Sequence, residues 1–564
     1  MNIMFVTLQG YTFSQHNPSD KSEGKKYQQA YNNNFILPVF YHLRSFYKKV
    51  GKYYDKYKWF PCEYGWKNQD PQKIVNTILK SKIDVLCLSM FIWNWKIQIE
   101  ISRLIKEKNP NIKIIVGGSQ LDYKDPDIAT KHPYFDYIVY GEGEVPFQML
   151  LDSFYEKIDE KTIPNLITKN FKTKNEVFKF SNYPPYSPIL DLKEAFIEDY
   201  AYWTANKANP NTNVVLFYEK VKGCPYNCAF CAWGGGIHNK VTIRSTDWRE
   251  ELKFLSNYDV TLCSTDANFG MFEEDIKMLE LALSLRSKKS KFNFILYTYS
   301  KLKKEKVFAV WELEYRYGKR KFRVSLQNLD DDVLSNIKRP KIPWDEHKKM
   351  LIDWQSFKND VEYDVEVIHG LPGMTVDNTK KMLLEFADTN FVNILFYFWR
   401  LLPNTLSNDK DYQKKYNLKI FNRIELMRPI NSNLDDLYDD VVADKHGMEI
   451  ISKEETIYDG KMSFEEYIKI IYLIVMYNTV FEKHKTYDLD KFELLMKYTL
   501  SHIENLVKEQ SNYWREKLKK YGFIVTGLNH NGKVYTFNYK IALICEEIYK
   551  EFIEAVNVLY SQTL

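Results

Sequence analysis

Three cysteines within eight residues, Cys224, Cys228 and Cys231, constrain this chain more than any other feature. They are spaced C-x3-C-x2-C in Gly223-Cys224-Pro225-Tyr226-Asn227-Cys228-Ala229-Phe230-Cys231, directly after a predicted strand. Thiolates on one turn of loop suit iron, and three of them hold three irons of a four-iron cluster. The motif leaves the fourth iron without a protein ligand, an open position that serves substrate binding; an electron-transfer ferredoxin supplies a fourth Cys. Two plainer readings compete: a zinc site short of a ligand, with His238 seven residues beyond Cys231, and three unlinked buried thiols. Seven cysteines in 564 residues do not make a disulfide framework. The other four, Cys62, Cys87, Cys263 and Cys545, read as space-filling, Cys87 and Cys263 inside buried strands.

At roughly 150 residues per domain, this length excludes a single small module and suggests three to four domains. The net charge of +5 is too mild to call for nucleic acid or an anionic membrane. MNIMFVTLQG lacks the parts of a signal peptide. The longest apolar run, Ile470 to Tyr477, falls far short of the roughly 18 residues that span a bilayer. A soluble cytoplasmic protein is expected, with no nucleic-acid or membrane partner. Aromatic residues make up 16% of the chain, explained by large cores or by a flat ligand to wrap.

From residue 1 to about 160 strands and helices alternate, with strands at Asn2 to Leu8, Ile83 to Phe91, Ile112 to Val116 and Phe135 to Tyr140. The pattern predicts an open parallel sheet, Rossmann-like, whose ligands lie beyond the carboxyl ends of the strands. Residues 161–208 read as a connector. A second alternation over 209–408 places strands near Val214 to Tyr218, Val260 to Ser264, Phe292 to Tyr299, Lys321 to Leu326, Tyr363 to Ile368 and Asn393 to Trp399. Six units predict an open, partial (β/α)6 TIM-like barrel with its chemistry at the C-terminal strand ends. Residues 409–564 are expected to be mainly helical, with helices at Phe464 to Val480 and Lys491 to Lys508, and a hairpin over Gly522 to Tyr539.

On the cysteine motif, with Phe230 before its last Cys, and on the segments Trp233-Gly234-Gly235, Asp266-Ala267-Asn268-Phe269-Gly270, Ser325-Leu326-Gln327-Asn328, Lys338-Arg339 and Gly370-Leu371-Pro372-Gly373, the chain resembles the radical S-adenosylmethionine (radical SAM) enzymes. The resemblance implies a 4Fe-4S cluster on Cys224, Cys228 and Cys231 and S-adenosylmethionine at its open iron. Residue chemistry at the strand ends offers Asp266 and Asn268 for the methionyl ammonium, Gln327 and Arg339 for the ribose and carboxylate, and the segment around His369 for adenine. Each of these reads equally well as a helix cap or a surface pair.

The N-terminal region resembles the cobalamin-binding domain fused ahead of many radical SAM domains, through Trp93, Asn94, Gly117, Gly118, Gly141 and Glu142, each just past a strand. Paired glycines let backbone approach a macrocycle; the plain alternative is a tight turn. The D-x-H-x-x-G signature is absent, so no His is expected on cobalt, whose lower face is bare, water-bound or covered by Trp93 or Asn94. The resemblance implies a class B-like methyltransferase that moves a methyl group from S-adenosylmethionine via methylcobalamin to an unactivated carbon of a peptide or natural-product substrate. An external donor such as flavodoxin or ferredoxin would supply electrons. Rearrangement, cyclisation or oxidation with the same cofactors, and a non-catalytic cobalamin or redox sensor, are the alternatives.

Overall fold

Val85 to Ser89 is apolar nearly throughout, and every residue of the strand it forms is buried, as a parallel strand covered on both faces requires. The computed structural model describes residues 1–9, 35–36, 38–61, 63–66, 70–92, 94–206, 213–233, 241–243, 247–286, 291–296, 304–358, 360–389, 392–426, 450–484 and 489–501, with short stretches at 523–525, 529–530, 533–534 and 550. Trp93, Cys62 and Cys545 lie outside the described residues.

The N-terminal sheet uses β1 (Asn2–Gln9), β3 (Lys58–Trp59), β4 (Glu63–Trp66), β5 (Val85–Ser89), β6 (Lys113–Gly117), β7 (Tyr137–Val139) and β8 (Leu166–Ile167), while β2 (Phe35–Ile36) belongs elsewhere. The order is β3-β1-β5-β6-β7-β8, with β4 also on β1. Every pairing is parallel except β7 with the edge strand β8. Strand order reverses between β1 and β5, and the carboxyl ends around that point are where such sheets take ligands. The helix Pro71–Lys80 starts where Asp70 accepts from the Gln72 N–H and Pro71 occupies the first turn.

All six strands expected of the second alternation are present. β9 (Val214–Tyr218), β12 (Val260–Ser264) and β13 (Asn293–Ile295) run parallel, and β2 adds to the β9 edge. Between β9 and β12, β10 (Val221–Lys222) pairs antiparallel with β11 (Thr242–Ile243). β14 (Lys321–Gln327), β15 (Glu362–His369) and β16 (Val392–Phe398) form a second parallel sheet. Among the described residues no ladder joins β13 to β14, and the six strands form two separate sheets.

The C-terminal region holds the helix Phe464–His484 and also a sheet absent from the sequence reading. In it β17 (Lys419–Leu426) pairs antiparallel with β18 (Ile450–Tyr458) and parallel with β19 (Phe523–Val525). Lys453, Glu454 and Glu455 break any apolar run in β18, so pairing, not pattern, makes the strand. β20 (Asn529–His530) pairs antiparallel with β21 (Lys533–Val534) within the expected hairpin. No helix among the described residues is long and apolar enough to cross a membrane.

One core runs between the first two sheets. Ile3 and Phe5 of β1, Phe40 and Tyr41 of the helix Pro38–Val50, Leu216 of β9 and Leu262 of β12 share it. A second core joins β14–β16 to the C-terminal helix through residues such as Val365, Ile394, Tyr467 and Tyr472. Much of the aromatic excess is packing. Trp354 lies 5.0 Å from Phe322 and 6.0 Å from Trp311, which is 5.6 Å from Tyr363, separations typical of favourable ring pairs.

Gly118, beyond β6, has φ +118°, and a Cβ there would fall 2.2 Å from the Met90 carbonyl oxygen. Two backbones meet too closely for a side chain. Gly118→Ala is expected to destabilise the N-terminal domain by about 1–3 kcal/mol, read as a lower urea midpoint; an unchanged midpoint would contradict this close approach.

Candidate active site between two sheets

The tripeptide Lys220-Val221-Lys222 runs from the end of β9 into the cysteine loop, and three buried carboxylates hold it. Asp266 Oδ1 accepts from the backbone N–H groups of Lys220 and Val221 at 2.8 and 2.9 Å. Lys220 Nζ meets Asp275 at 2.5 Å, both side chains nearly inaccessible. The second oxygen of Asp275 accepts from the Gly270 and Phe272 N–H groups, so the strand end after β12 is tied to the same point. Lys222 Nζ lies 3.0 Å from each oxygen of Glu144. Glu144 is the first residue of the helix Glu144–Ser153 in the N-terminal domain, where the helix dipole favours a carboxylate. Gly223 follows at φ +82° and turns the chain into the loop.

In that loop Cys224 and Cys228 are buried and Cys231 is partly exposed. The Cys231 N–H donates to the Cys228 carbonyl at 3.0 Å, and Ala229 is pinned on both sides, its N–H to Ile337 and its carbonyl from the Ser407 N–H. Asn268 Nδ2 donates to Cys224 Sγ at 3.1 Å. Arg339 Nη1 stands 3.9 Å from Cys228 Sγ, its guanidinium lies 5.8 Å from the Phe230 ring centre, and Nη2 donates to the Ser325 carbonyl. Among the described residues no three His, Cys, Asp or Glu side chains gather tightly enough to chelate one metal ion. His238, named in the zinc reading, lies outside the described residues.

Beside these thiols Asn268 Oδ1 and Arg339 Nε are buried without a partner among the described residues, as are Gln327 Oε1 and Asn328 Nδ2 at the end of β14. Gln327 ends β14 at φ +71°, just past a register shift between Val324 and Gln327. Bulges and strained residues of this kind re-aim side chains at functional sites. Unpaired buried polar atoms cost about 1–3 kcal/mol each. The two beside the cysteine loop fit a polar ligand such as the methionyl group of S-adenosylmethionine.

The side chains of two expected cofactor residues have protein contacts of their own; the adenine expectation for the segment around His369 concerns its backbone. Oδ1 of Asp266 faces the Lys220-Val221 backbone, which makes it a clamp on the loop. His369 is fully buried, its ring 4.0 Å from that of Tyr467, where burial holds its pKa down at about 3. Its side chain packs the C-terminal helix against β15.

In the N-terminal domain Asn94 spends its amide on its own loop, accepting from the Phe91 N–H at 2.8 Å and donating to the Ser89 carbonyl at 3.0 Å. Gly117 closes β6, where a Cβ would stand 3.3 Å from the Val139 carbonyl oxygen. Gly118 and Gly141, both at positive φ, line a cleft of about 230 Å³. Glu142, beside them, is buried. The opposite wall of the cleft comes from the second domain: Lys222, Gly223, Trp233 and Thr265. Asn404 closes one end, accepting from the Tyr123 N–H at 3.2 Å and donating to the Leu121 carbonyl at 2.8 Å. The carboxyl ends of the two parallel sheets thus face each other across one space. Lys222, Tyr123 and Asn404 were not singled out from sequence, and Glu144 only as the last residue of the Gly141-Glu142-Gly143-Glu144 segment at a strand end; the position of Lys222 two residues before Cys224 was the available signal.

Residues 63–151 match the B12 binding domain family, a span that contains Trp93, Asn94, Gly117, Gly118, Gly141 and Glu142. The chain is 25% identical over 370 residues to the cobalamin-dependent radical SAM methyltransferase TokK of Streptomyces tokunonensis, covering 61% of this chain and 51% of that protein. It is 25% identical over 357 residues to the 2-(S-pantetheinyl)-carbapenam-3-carboxylate methyltransferase of Streptantibioticus cattleyicolor, covering 60% and 50%. The chain spans about half the length of these curated relatives. Among solved structures, the radical SAM methyltransferase TsrM of Kitasatospora setae, with cobalamin and its 4Fe-4S cluster, superposes with TM-score 0.55 at 12% identity over 98% of this chain and 99% of that one. The radical enzyme OxsB with aqua-cobalamin and S-adenosylmethionine gives 0.53 at 13% identity, over 100% and 81%. At such identities the likeness is one of fold.

The chain thus carries a B12 binding domain over residues 63–151, and its fold and its curated relatives resemble cobalamin-dependent radical SAM methyltransferases. The TsrM structure holds cobalamin and a 4Fe-4S cluster, and the OxsB structure holds aqua-cobalamin and S-adenosylmethionine; in this chain the unpartnered atoms of Asn268 and Arg339 beside Cys224 and Cys228 fit a polar ligand.

Burial pushes the Asp266 carboxyl up to about 7. A carboxyl whose pKa is raised by folding favours the folded state at low pH, and this contribution is lost as pH rises through about 7. Asp266→Asn is expected to flatten the fall in thermal stability between about pH 4 and 7. A variant profile parallel to the wild type across that window would refute the assignment.

Proposed function

We propose that the chain is a C-methyltransferase that moves a methyl group from S-adenosylmethionine to an unactivated carbon of a small-molecule or peptide substrate, with electrons from an external flavodoxin- or ferredoxin-like donor. The observation that carries this reading is the cleft between the two sheets, walled by Gly118 and Gly141 on one side and by Gly223 and Trp233, next to the cysteine loop, on the other. When bound, the cluster and S-adenosylmethionine supply a carbon-centred radical, and cobalamin supplies a methyl carrier.

The residues supply geometry. Cys224, Cys228 and Cys231 would hold the cluster at the mouth of the cleft, with Asn268 donating to one thiolate and Arg339 beside another. The Oδ1 of Asn268 would accept from the methionyl ammonium, and Gln327 and Arg339 would serve the remaining polar groups. Gly118, Gly141 and Glu142 would bound the cobalamin side. Substrate held between the two walls meets both reactive groups without diffusing, and positioning of this kind is worth several kcal/mol of barrier.

Extract treated with the reduced enzyme and methyl-labelled S-adenosylmethionine should yield a labelled, mass-shifted metabolite together with S-adenosylhomocysteine and 5′-deoxyadenosine; Cys228→Ala should yield none of the three. Deoxyadenosine without homocysteine product or label transfer would instead establish rearrangement, cyclisation or oxidation. Undiminished turnover by Cys228→Ala would remove the cluster from the mechanism.

A further inference from the structure

Lys222 occupies a place that neither cofactor site explains. It sits two residues before Cys224, on β10, yet its charge is spent on the other domain. Its Nζ is held by both oxygens of Glu144, whose side chain is 1% exposed against 17% for Lys222. The aliphatic stem of Lys222 leads past Phe180 of the connector, whose ring centre is 5.9 Å from Nζ. Glu144 begins its helix three residues after Gly141, which lines the cleft at φ +70°. One side chain therefore spans from the cysteine loop to the glycine turn on the facing wall.

The alternatives for this pair are weaker. An ordinary surface ion pair is exposed, one-pronged and local in sequence; this one is buried at the carboxylate, two-pronged and 78 residues apart. A pair serving only to stabilise one domain would lie within it. The other contacts across this junction, Asn404 to Leu121 and Tyr123 and Asn408 to Asp122 at 2.9 Å, come from the strand end after β16. Only the Lys222–Glu144 pair, among these, starts on the segment that carries the cysteines.

We propose that Lys222 is a positioning residue, a strut that fixes the cysteine loop at a set distance from the Gly141–Glu144 turn and so holds the two cofactor sites in register. The role in catalysis rests on the methyltransfer reading above; the strut itself does not. Displacement of reacting groups by about 1 Å costs on the order of 100-fold in rate. Loss of the strut should therefore spare chemistry that needs the cluster alone and impair chemistry that needs both sites.

The test needs no substrate. Wild type, Lys222→Met, Lys222→Arg and Glu144→Gln, reconstituted with iron, sulfide and hydroxocobalamin, are reduced with titanium(III) citrate and given S-adenosylmethionine. S-adenosylhomocysteine, which requires both sites, and 5′-deoxyadenosine, which requires the cluster, are quantified per bound cobalamin and per iron. Amide hydrogen exchange is followed over residues 141–151 and 219–224. The expected result is a fall of at least about tenfold in the homocysteine-to-deoxyadenosine ratio for Lys222→Met and Glu144→Gln. Exchange should be faster in both segments, and Lys222→Arg should restore ratio and exchange. A ratio within twofold of wild type for both charge-removing variants, or an arginine variant no better than methionine, overturns the proposal. If wild type makes deoxyadenosine but no homocysteine, the methyltransferase reading falls, and the strut is judged by exchange alone: faster exchange rescued by arginine upholds it, and unchanged exchange refutes it.

Discussion

Three carboxylates on three consecutive residues are the constraint from which the site follows. Asp275 takes the side chain of Lys220, Asp266 takes the N–H groups of Lys220 and Val221, and Glu144 takes the side chain of Lys222. Each comes from a different place: a helix after β12, the end of β12 itself, and the N-terminal domain. A loop bearing three thiols must arrive at one position, because a cluster tolerates little error in its ligands. Packing alone is a poor means here, since the loop runs outside the sheet. Directional, charge-assisted bonds in a dry environment provide the precision. Removing Lys220 or Lys222 leaves a buried carboxylate uncompensated, and removing Asp266 leaves two buried N–H groups unpaired, which makes each contact costly to break.

The same logic extends to the domains. Separate cores would let the two sheets rock against each other, as domains with small polar interfaces do. Here Ile3 and Phe5 of the first sheet share a core with Leu216 and Leu262 of the second, and β2, from the N-terminal part of the chain, pairs with β9. The sheets are fastened apolar side to apolar side, which leaves their carboxyl ends to meet at the cleft. Asn404 then joins the strand end after β16 to the Leu121–Tyr123 turn.

Strands buried on both faces were legible in the sequence because apolar runs such as those of β5 and β12 have few other uses, and the two strands come out where the pattern puts them. The cysteine spacing was legible for the same reason. β17 and β18 were not, since charged residues in β18 hide a strand that pairing creates. Site residues divide along another line. Cys224, Cys228 and Asn268 are adjacent in space, as their strand-end positions suggested. Asp266 occupies the right place with a different task, because residue type and position do not say which way a carboxylate turns. Glu144 and Lys222 lie 78 residues apart, and nothing local in either segment announces the other.

Buried polar atoms are ordinarily paired, and a fold that leaves several unpaired in one spot has usually reserved them for a ligand. Asn268 illustrates how. Its amide nitrogen is spent on Cys224 Sγ, which fixes the orientation of the group, and its oxygen is thereby presented with no partner among the described residues. Arg339 is arranged likewise: Nη2 is anchored on the Ser325 carbonyl, Nη1 faces Cys228, and Nε is left over. One end of each side chain is used to aim the other. A ligand that meets those atoms binds groups already held in place, so little conformational entropy is lost on binding. The strain at Gln327, whose φ is +71°, belongs to the same arrangement, since a relaxed strand end would turn that amide elsewhere. Stability given up at these positions is recovered in the precision with which the loop, the polar atoms beside it and the facing wall of the cleft are set against one another.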